Sequence, residues 1–320
     1  LAMVSTPGLN RAAQGYYPPG SIIKPLVLVS AMTDGVLRSD EEIECVGHFF
    51  THVKDAARCW IYRPKYNNKT HGKLKPIEAI ARSCNIFFYE LGTRLGFVRL
   101  LNWLQNFGMT QPLFAQLTNH QASGTEGHVP SEKKIQELKT RGAIAFETVS
   151  ISIGQGALTW SPLHAAAAYA TLARGGIWKS PTLLTSQQQN EKDLHLDQEA
   201  VNLALAGLED SVSKRYGTGS RLRYGGGKEE PTFNIDGVRL WGKTGTAEAP
   251  PYKLKKDSKD SDVITGLDHS WFLVMAAPIG HATPTVVVAV LVEHGGSGGR
   301  VAGPIANQVL LALQAEGYLE

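Results

Sequence analysis

The run Lys24-Pro-Leu-Val-Leu-Val-Ser-Ala-Met32 reads as a helix with no polar face, and such a helix is stable only when other elements cover it on nearly all sides. The chain must therefore wrap this segment. Its 320 residues, 42% of them hydrophobic, suffice for one large domain or two lobes. Just before the run, Tyr17-Pro-Pro-Gly-Ser-Ile-Ile-Lys24 breaks regular structure and then places Ser21 one helical turn ahead of Lys24. Positions i and i+3 share a helix face, so the Ser21 hydroxyl and the Lys24 amine can meet. Apolar surroundings disfavour the ammonium, and a free amine can take the hydroxyl proton, which makes Ser21 a nucleophile. Read alone, the same residues also describe an N-capping serine and a solvated lysine. Pro25 is compatible with a helix's first turn.

Further along, the patterns predict a strand over residues 1–6, helices over 76–91, 98–107, 162–173 and 198–213, strands over 239–247, 270–277 and 285–293, and a closing helix over 301–315. Residues 41–72 are irregular and rich in Cys, His and aromatics, and residues 113–141 read as a polar surface excursion without a period. Strand material at both ends with helices between predicts an α/β (α+β) fold: an antiparallel sheet flanked by helices and built from both chain ends, with an inserted, mainly helical lobe. The expected lobes are 1–36 with 214–320, carrying the sheet and the nucleophile helix, and 37–213.

Two more stretches carry chemistry. Ser83-Cys84-Asn85 interrupts the 76–91 helix with residues that prefer caps and turns, so it either caps a break or projects into a cleft. Trp241-Gly-Lys-Thr-Gly-Thr-Ala247 puts a charge and two hydroxyls on a glycine-containing strand, where a ligand can approach the backbone. It lacks the first half of a phosphate loop and the helix that should follow.

Together, Ser-x-x-Lys, Ser-x-Asn and Lys-Thr-Gly, in this order, resemble the motif set of the penicilloyl serine transferases. Tyr-Pro-Pro-Gly-Ser-x-x-Lys-Pro, Ser-Cys-Asn-x-x-Phe-Tyr, Ile153-Gly-Gln-Gly156 with Ser161-Pro-Leu163, and Gly-Lys-Thr-Gly-Thr-Ala-Glu look like the transpeptidase domain of the elongation-type class B penicillin-binding proteins. The resemblance spans essentially the whole chain. It implies a D,D-transpeptidase that cross-links peptidoglycan stem peptides through a serine acyl-enzyme and is acylated by β-lactams. Residue by residue, it implies that Ser21 is the nucleophile, Lys24 its base and Ser83 a proton relay. Asn85 is implied to contact the substrate amide, and Lys243 and Thr244 its carboxylate. The N–H groups of Ser21 and Thr246, beside Gly245, form the implied oxyanion hole.

The resemblance further implies a membrane anchor and pedestal domain ahead of this sequence, on the extracytoplasmic side of the membrane, with a glycosyltransferase and cell-shape scaffold proteins as partners. The opening Leu1-Ala-Met-Val-Ser-Thr-Pro7, which starts without an initiator methionine, reads as a fragment cut in mid-element. One departure is that Pro7-Gly8 runs straight into Leu9-Asn10-Arg11, where relatives have a longer segment.

Three cysteines are an odd number for an exported domain. One reading is a Cys45–Cys59 disulfide with Cys84 free, and another is three free thiols. A third is a structural zinc held by Cys45, Cys59, His71 and Cys84, a Cys₃His composition whose wide spacings give no short motif; the resemblance favours it, since some elongation-type relatives carry zinc here. His48 and His52 are alternative ligands. No cofactor is expected for catalysis.

A net charge of +3 gives no nucleic-acid footprint, because Lys253-Leu-Lys-Lys256 is answered at once by Asp257, Asp260 and Asp262. No run of about 18 apolar residues is present. A serine β-lactamase or a β-lactam sensor shares the motifs, but the chain length and the Ile-Gly-Gln-Gly segment disfavour both. An idle scaffold is at odds with the intact motifs. The glycine turn after His294 reads as lining the cleft.

Overall fold

The computed structural model describes residues 10–53, 56–113, 126–182, 186, 188–250, 252–253, 263–264 and 267–320. The expected strand over 1–6 and the basic residues Lys255 and Lys256 lie outside these. The all-apolar helix is α1, Lys24–Thr33, with Leu26 to Val29 fully buried, as its pattern requires. A 3-10 turn, Gly20–Ile23, leads into it.

The helix expected over 76–91 is two helices, α2 (Pro76–Ala81) and α3 (Asn85–Leu95). The break falls at Arg82-Ser83-Cys84, where Ser83 adopts φ 53°. Next come α4 (Phe97–Asn106), α5 (Glu132–Thr140), α6 (Ile144–Ser152), α7 (Pro162–Ala173) and α8 (Gln198–Ser213). Helices α5 and α6 were not read from the sequence. In α6 the hydroxyls of Thr148 and Ser150 fold back onto the carbonyls of Ile144 and Phe146, so these polar groups are satisfied within the helix.

Short strands β1 (Ile43–Cys45) and β2 (Gly72–Leu74) pair antiparallel across the irregular segment, with Cys45 opposite Gly72. The principal sheet comprises β3 (Val238–Ala247), β4 (His269–Pro278) and β5 (Val286–Val292), antiparallel in the order β5-β4-β3. Central β4 alternates its side chains. Trp271, Leu273, Met275 and Ala277 enter the main core with α1, whereas Phe272, Val274 and Ala276 enter a second core with the closing helix α9, Ala302–Ala315. Among the described residues no helix is long and apolar enough to cross a membrane.

Glycines let backbone meet backbone where the sheet reaches the 3-10 turn. Gly154 has φ 75°, its carbonyl accepts from Gly20 N–H at 2.7 Å, and a Cβ there would fall on the Gly20 backbone. Gly142 has φ 65° with open space around it. Gly142→Ala should therefore cost only the left-handed penalty, about 1–2 kcal/mol. Gly154→Ala adds a backbone overlap, so its urea midpoint should fall clearly further; equal shifts would show that the close approach is unimportant.

Candidate active site

The Ser21 turn is held from four directions. Tyr17 and Trp160 exchange backbone hydrogen bonds at 3.0 Å, Trp271 Nε1 donates to the Pro18 carbonyl at 3.0 Å, and Tyr169 OH donates to the Ile22 carbonyl at 2.7 Å. Gly20 is pinned to Gly154, and Tyr17 OH donates to Glu293 at 2.7 Å. Ile22, Ile23 and Lys24 are fully buried, while Ser21 between them and Gly20 keeps partial exposure. The turn is thus a rigid mount with the serine facing outwards.

Lys24 is 0% exposed. Its Nζ donates to the Ser83 carbonyl at 2.9 Å, to Ser83 Oγ at 3.1 Å and to Asn85 Oδ1 at 2.7 Å, and it lies 5.5 Å from the centre of the Phe88 ring. Burial lowers its pKa to about 8, against the opposing influence of Cys59, Cys84 and Cys45. The sequence reading brings the Ser21 hydroxyl to the Lys24 amine; among the hydrogen bonds described, that amine turns to Ser83 and Asn85, and Lys24 bonds Ser21 through its backbone N–H and the Ser21 carbonyl. What the sequence did not give is that the amine is held by the Ser83–Asn85 turn. The left-handed Ser83 directs both its carbonyl and its hydroxyl at one amine. Asn85 Nδ2 is anchored in turn on the Arg58 carbonyl at 3.1 Å.

Lys243, on β3, is also 0% exposed. Its Nζ donates to the Thr244 carbonyl at 3.1 Å, and burial, then the charge of Lys24, push its pKa well down. Thr244 shares a 2.8 Å hydrogen bond with the Thr218 hydroxyl, and Thr218 N–H donates to the carbonyl of Ala81, two residues before Ser83. Gly245 is required by crowding, since a Cβ would come within 2.9 Å of both Ile22 and Trp271. Thr246 is exposed on the strand. Gln155 Nε2 donates to its carbonyl at 3.3 Å, and Glu248 N–H donates to Gln155 Oε1 at 3.3 Å. Thr218, Tyr169 and Glu293 are site-organising residues with no sequence signal of their own; Gln155 was visible only within Ile-Gly-Gln-Gly.

Cys45, Cys59, His71 and Cys84 also converge. Their donor atoms all lie within 4.8 Å of one another. Cys59 Sγ is 3.4 Å from His71 Nδ1 and 3.9 Å from Cys84 Sγ. Tetrahedral bonds of about 2.3 Å to sulfur put neighbouring sulfurs roughly 3.8 Å apart, so this donor set suits a four-coordinate ion. The three cysteines are thiols in this structure. Hydrogen bonds from Cys45 and Cys84 draw the Cys59 pKa down, and burial drives that of Cys84 up. His48 and His52 stand elsewhere, the first against Tyr62 and the second on Thr51.

Residues 1–311 match the family described as penicillin binding protein transpeptidase domain. The chain is 28% identical, over 96% of its length, to the peptidoglycan D,D-transpeptidase MrdA of Haemophilus influenzae, of which it covers 46%. Thus the chain spans about half the length of that curated relative. It is similar to the crystal structure of Pseudomonas aeruginosa PBP2 in complex with WCK 5153, with a TM-score of 0.73 and 27% identity, covering 95% of this chain and 62% of that one. Similar too is a chain from a peptidoglycan synthase complex that coordinates polymerization and crosslinking, with TM-score 0.73, 27% identity and coverage of 96% and 48%.

A buried amine whose pKa is driven down by desolvation opposes folding, and Lys243 meets that cost with a backbone carbonyl. Lys243→Met, close in volume and without a charge, should raise stability by roughly 1–2 kcal/mol in urea denaturation. A loss of stability would mean that the ammonium is better satisfied than its surroundings indicate.

Proposed function

The chain belongs to the penicillin-binding protein transpeptidase domain family, and on that premise we propose that it is a peptidoglycan D,D-transpeptidase acting through a Ser21 acyl-enzyme. The observation that carries this is the sealed Lys24 amine, held by Ser83 and Asn85 one turn from a part-exposed Ser21. With its pKa lowered to about 8, the amine becomes available as a base at mildly alkaline pH.

In the proposed reaction Ser21 Oγ attacks the carbonyl carbon of the penultimate D-alanine of a stem peptide and gives its proton to Lys24. The N–H groups of Ser21 and Thr246 receive the oxyanion. Ser83, hydrogen-bonded to Lys24, returns the proton to the departing nitrogen, so terminal D-alanine leaves and an ester remains on Ser21. An amine of a second stem peptide then attacks this ester and loses a proton to Lys24. The new peptide bond forms as Ser21 recovers its hydroxyl. Lys243 and the Thr218–Thr244 hydroxyl pair hold the terminal carboxylate of the donor, and Asn85 orients its peptide amide. A β-lactam, which resembles the donor, stops at the ester.

The substrate places the reaction outside the cytoplasmic membrane. The likeness to a chain of a peptidoglycan synthase complex that coordinates polymerization and crosslinking supports a polymerizing partner; a membrane glycosyltransferase and cell-shape scaffold proteins are the partners proposed for a longer anchored protein of which this chain is the transpeptidase part.

Benzylpenicillin should leave a persistent adduct of one drug mass on the protein, absent in Ser21→Ala. Its acylation rate should climb with pH and level off above about 8, since Lys24 is protonated and idle below its lowered pKa. Rapid loss of the adduct with drug hydrolysis would instead identify a β-lactamase, and no adduct would remove Ser21 as nucleophile.

Cys45, Cys59, His71 and Cys84 are further proposed to hold zinc. The ion would supply a cross-link, tying β1, the Cys59 loop and β2 to the N-terminus of α3 and so steadying Ser83 and Asn85. Purified protein should contain about one equivalent of zinc, and Cys59→Ser or a strong chelator should lower its melting temperature by several degrees. Metal-free protein indifferent to the chelator would leave three plain thiols.

A further inference from the structure

Among the described residues β3 is an edge strand of its sheet. Backbone groups two residues apart on a strand point to the same side, and a free edge is where an extended peptide adds. At the end of β3 one side chain satisfies both the Thr246 carbonyl and the N–H of Glu248, one residue past the strand. Gln155 donates to the first and accepts from the second, each at 3.3 Å. A primary amide is chemically a peptide group cut from its chain. Gln155 therefore occupies the donor and acceptor that a segment of substrate backbone laid along β3 would use.

The backbone beneath Gln155 is fixed. Gly154 and Gly156 on either side have φ 75° and 74°, Gly154 abuts Gly20, and Gln155 N–H donates to the Ser150 carbonyl at 3.0 Å. The Ala157 N–H is held by Glu147 at 2.8 Å. Motion is left to the side chain, which is half-buried and makes both of its long hydrogen bonds at the cleft surface.

We propose that Gln155 is a specificity-determining residue: its amide closes the β3 edge in the free protein and yields only to a ligand that offers its own N–H to the Thr246 carbonyl. This rests on the reading of β3 as the donor-binding edge beside Ser21. The amide thus competes with every ligand for the edge. A ligand with a peptide N–H regains the lost hydrogen bond, and one without it displaces Gln155 at a net loss.

The test is acylation kinetics, with the observed rate followed against drug concentration to separate the dissociation constant of the first complex from the rate constant of ester formation. Two probes are compared. Benzylpenicillin carries a secondary amide N–H on its side chain, and penicillanic acid has only hydrogen at that carbon, so no N–H is offered there. Gln155→Met keeps the length and removes the amide; Gln155→Ala serves if the methionine variant folds poorly, as judged by its melting temperature.

Removal of the competing amide should tighten the first complex with benzylpenicillin by about three- to tenfold, the worth of one or two exposed hydrogen bonds. Ester formation should stay within about twofold, and the preference for benzylpenicillin over penicillanic acid should change. An unchanged or weaker first complex would overturn the proposal, as would a drop in ester formation larger than the change in binding, which would make Gln155 a support of the strand. Lack of any Ser21 adduct in the unsubstituted protein would overturn the underlying reading as well, and so is distinguishable from failure of the Gln155 proposal alone.

Discussion

An amine shut away from water has to find its acceptors inside the protein, and Lys24 finds all three of those described on one turn, Ser83 to Asn85. That requirement sets the position of α1 against the break between α2 and α3. It also accounts for the left-handed conformation at Ser83, unusual for a residue with a side chain. In a continuous helix the Ser83 carbonyl would be committed to the helical ladder and the hydroxyl would point elsewhere. Breaking the helix frees the carbonyl, and the N-terminus of α3 then presents Asn85 from the other side. The strain at Ser83, of order 1–3 kcal/mol for such positions, is met by the hydrogen bonds of the turn itself, Ser83 N–H to the Ile80 carbonyl and Cys84 N–H to that of Ala79.

The second buried lysine follows a related logic. Lys243 and Lys24 lie close enough that the charge of one depresses the pKa of the other, on top of the burial of both. Each amine is met by its own acceptors, Lys24 by Ser83 and Asn85 and Lys243 by the Thr244 carbonyl, so the cleft holds two desolvated cation sites on facing elements.

Elements with a clean period were legible in the sequence. The apolar stretch of α1, the alanine-rich α7 between Ser161 and Gly175, and the β-branched β5 each matched what was expected of them within a residue or two. Helices α5 and α6 were not. The first has only Ile135 and Leu138 to mark its inner face, and the second mixes Thr and Ser into its turns, so neither shows a stripe. In the site, the motif residues were readable because nucleophile, base and carboxylate-binding strand carry distinctive residue types. Their supports were not. Tyr169 and Trp271 reach Ile22 and Pro18 across long sequence separations, and Thr218 meets Thr244 only because a glycine-flanked turn returns to the end of α2. Contacts of this kind depend on tertiary placement and leave no local pattern. The cysteines fall between these cases, since their types were informative but only the β1–β2 pairing brings Cys45 and His71 to Cys59 and Cys84.

Glycine explains why this site moves by side chains. Gly20, Gly154, Gly245 and Gly298 allow the nucleophile turn, the 154–156 loop, β3 and the loop after β5 to touch through their backbones, with a Cβ excluded at each contact. Backbones packed so tightly cannot shift without breaking several contacts together. The Ser21 turn is therefore held by several backbone contacts at once. Discrimination among ligands then falls to groups that can turn on fixed stems. Gln155 is such a group, because its mount is among the most constrained pieces of backbone in the cleft while its amide rests on the open strand edge through two long hydrogen bonds. Rigidity at the nucleophile and adaptability at the neighbouring edge thus come from the same cluster of glycines.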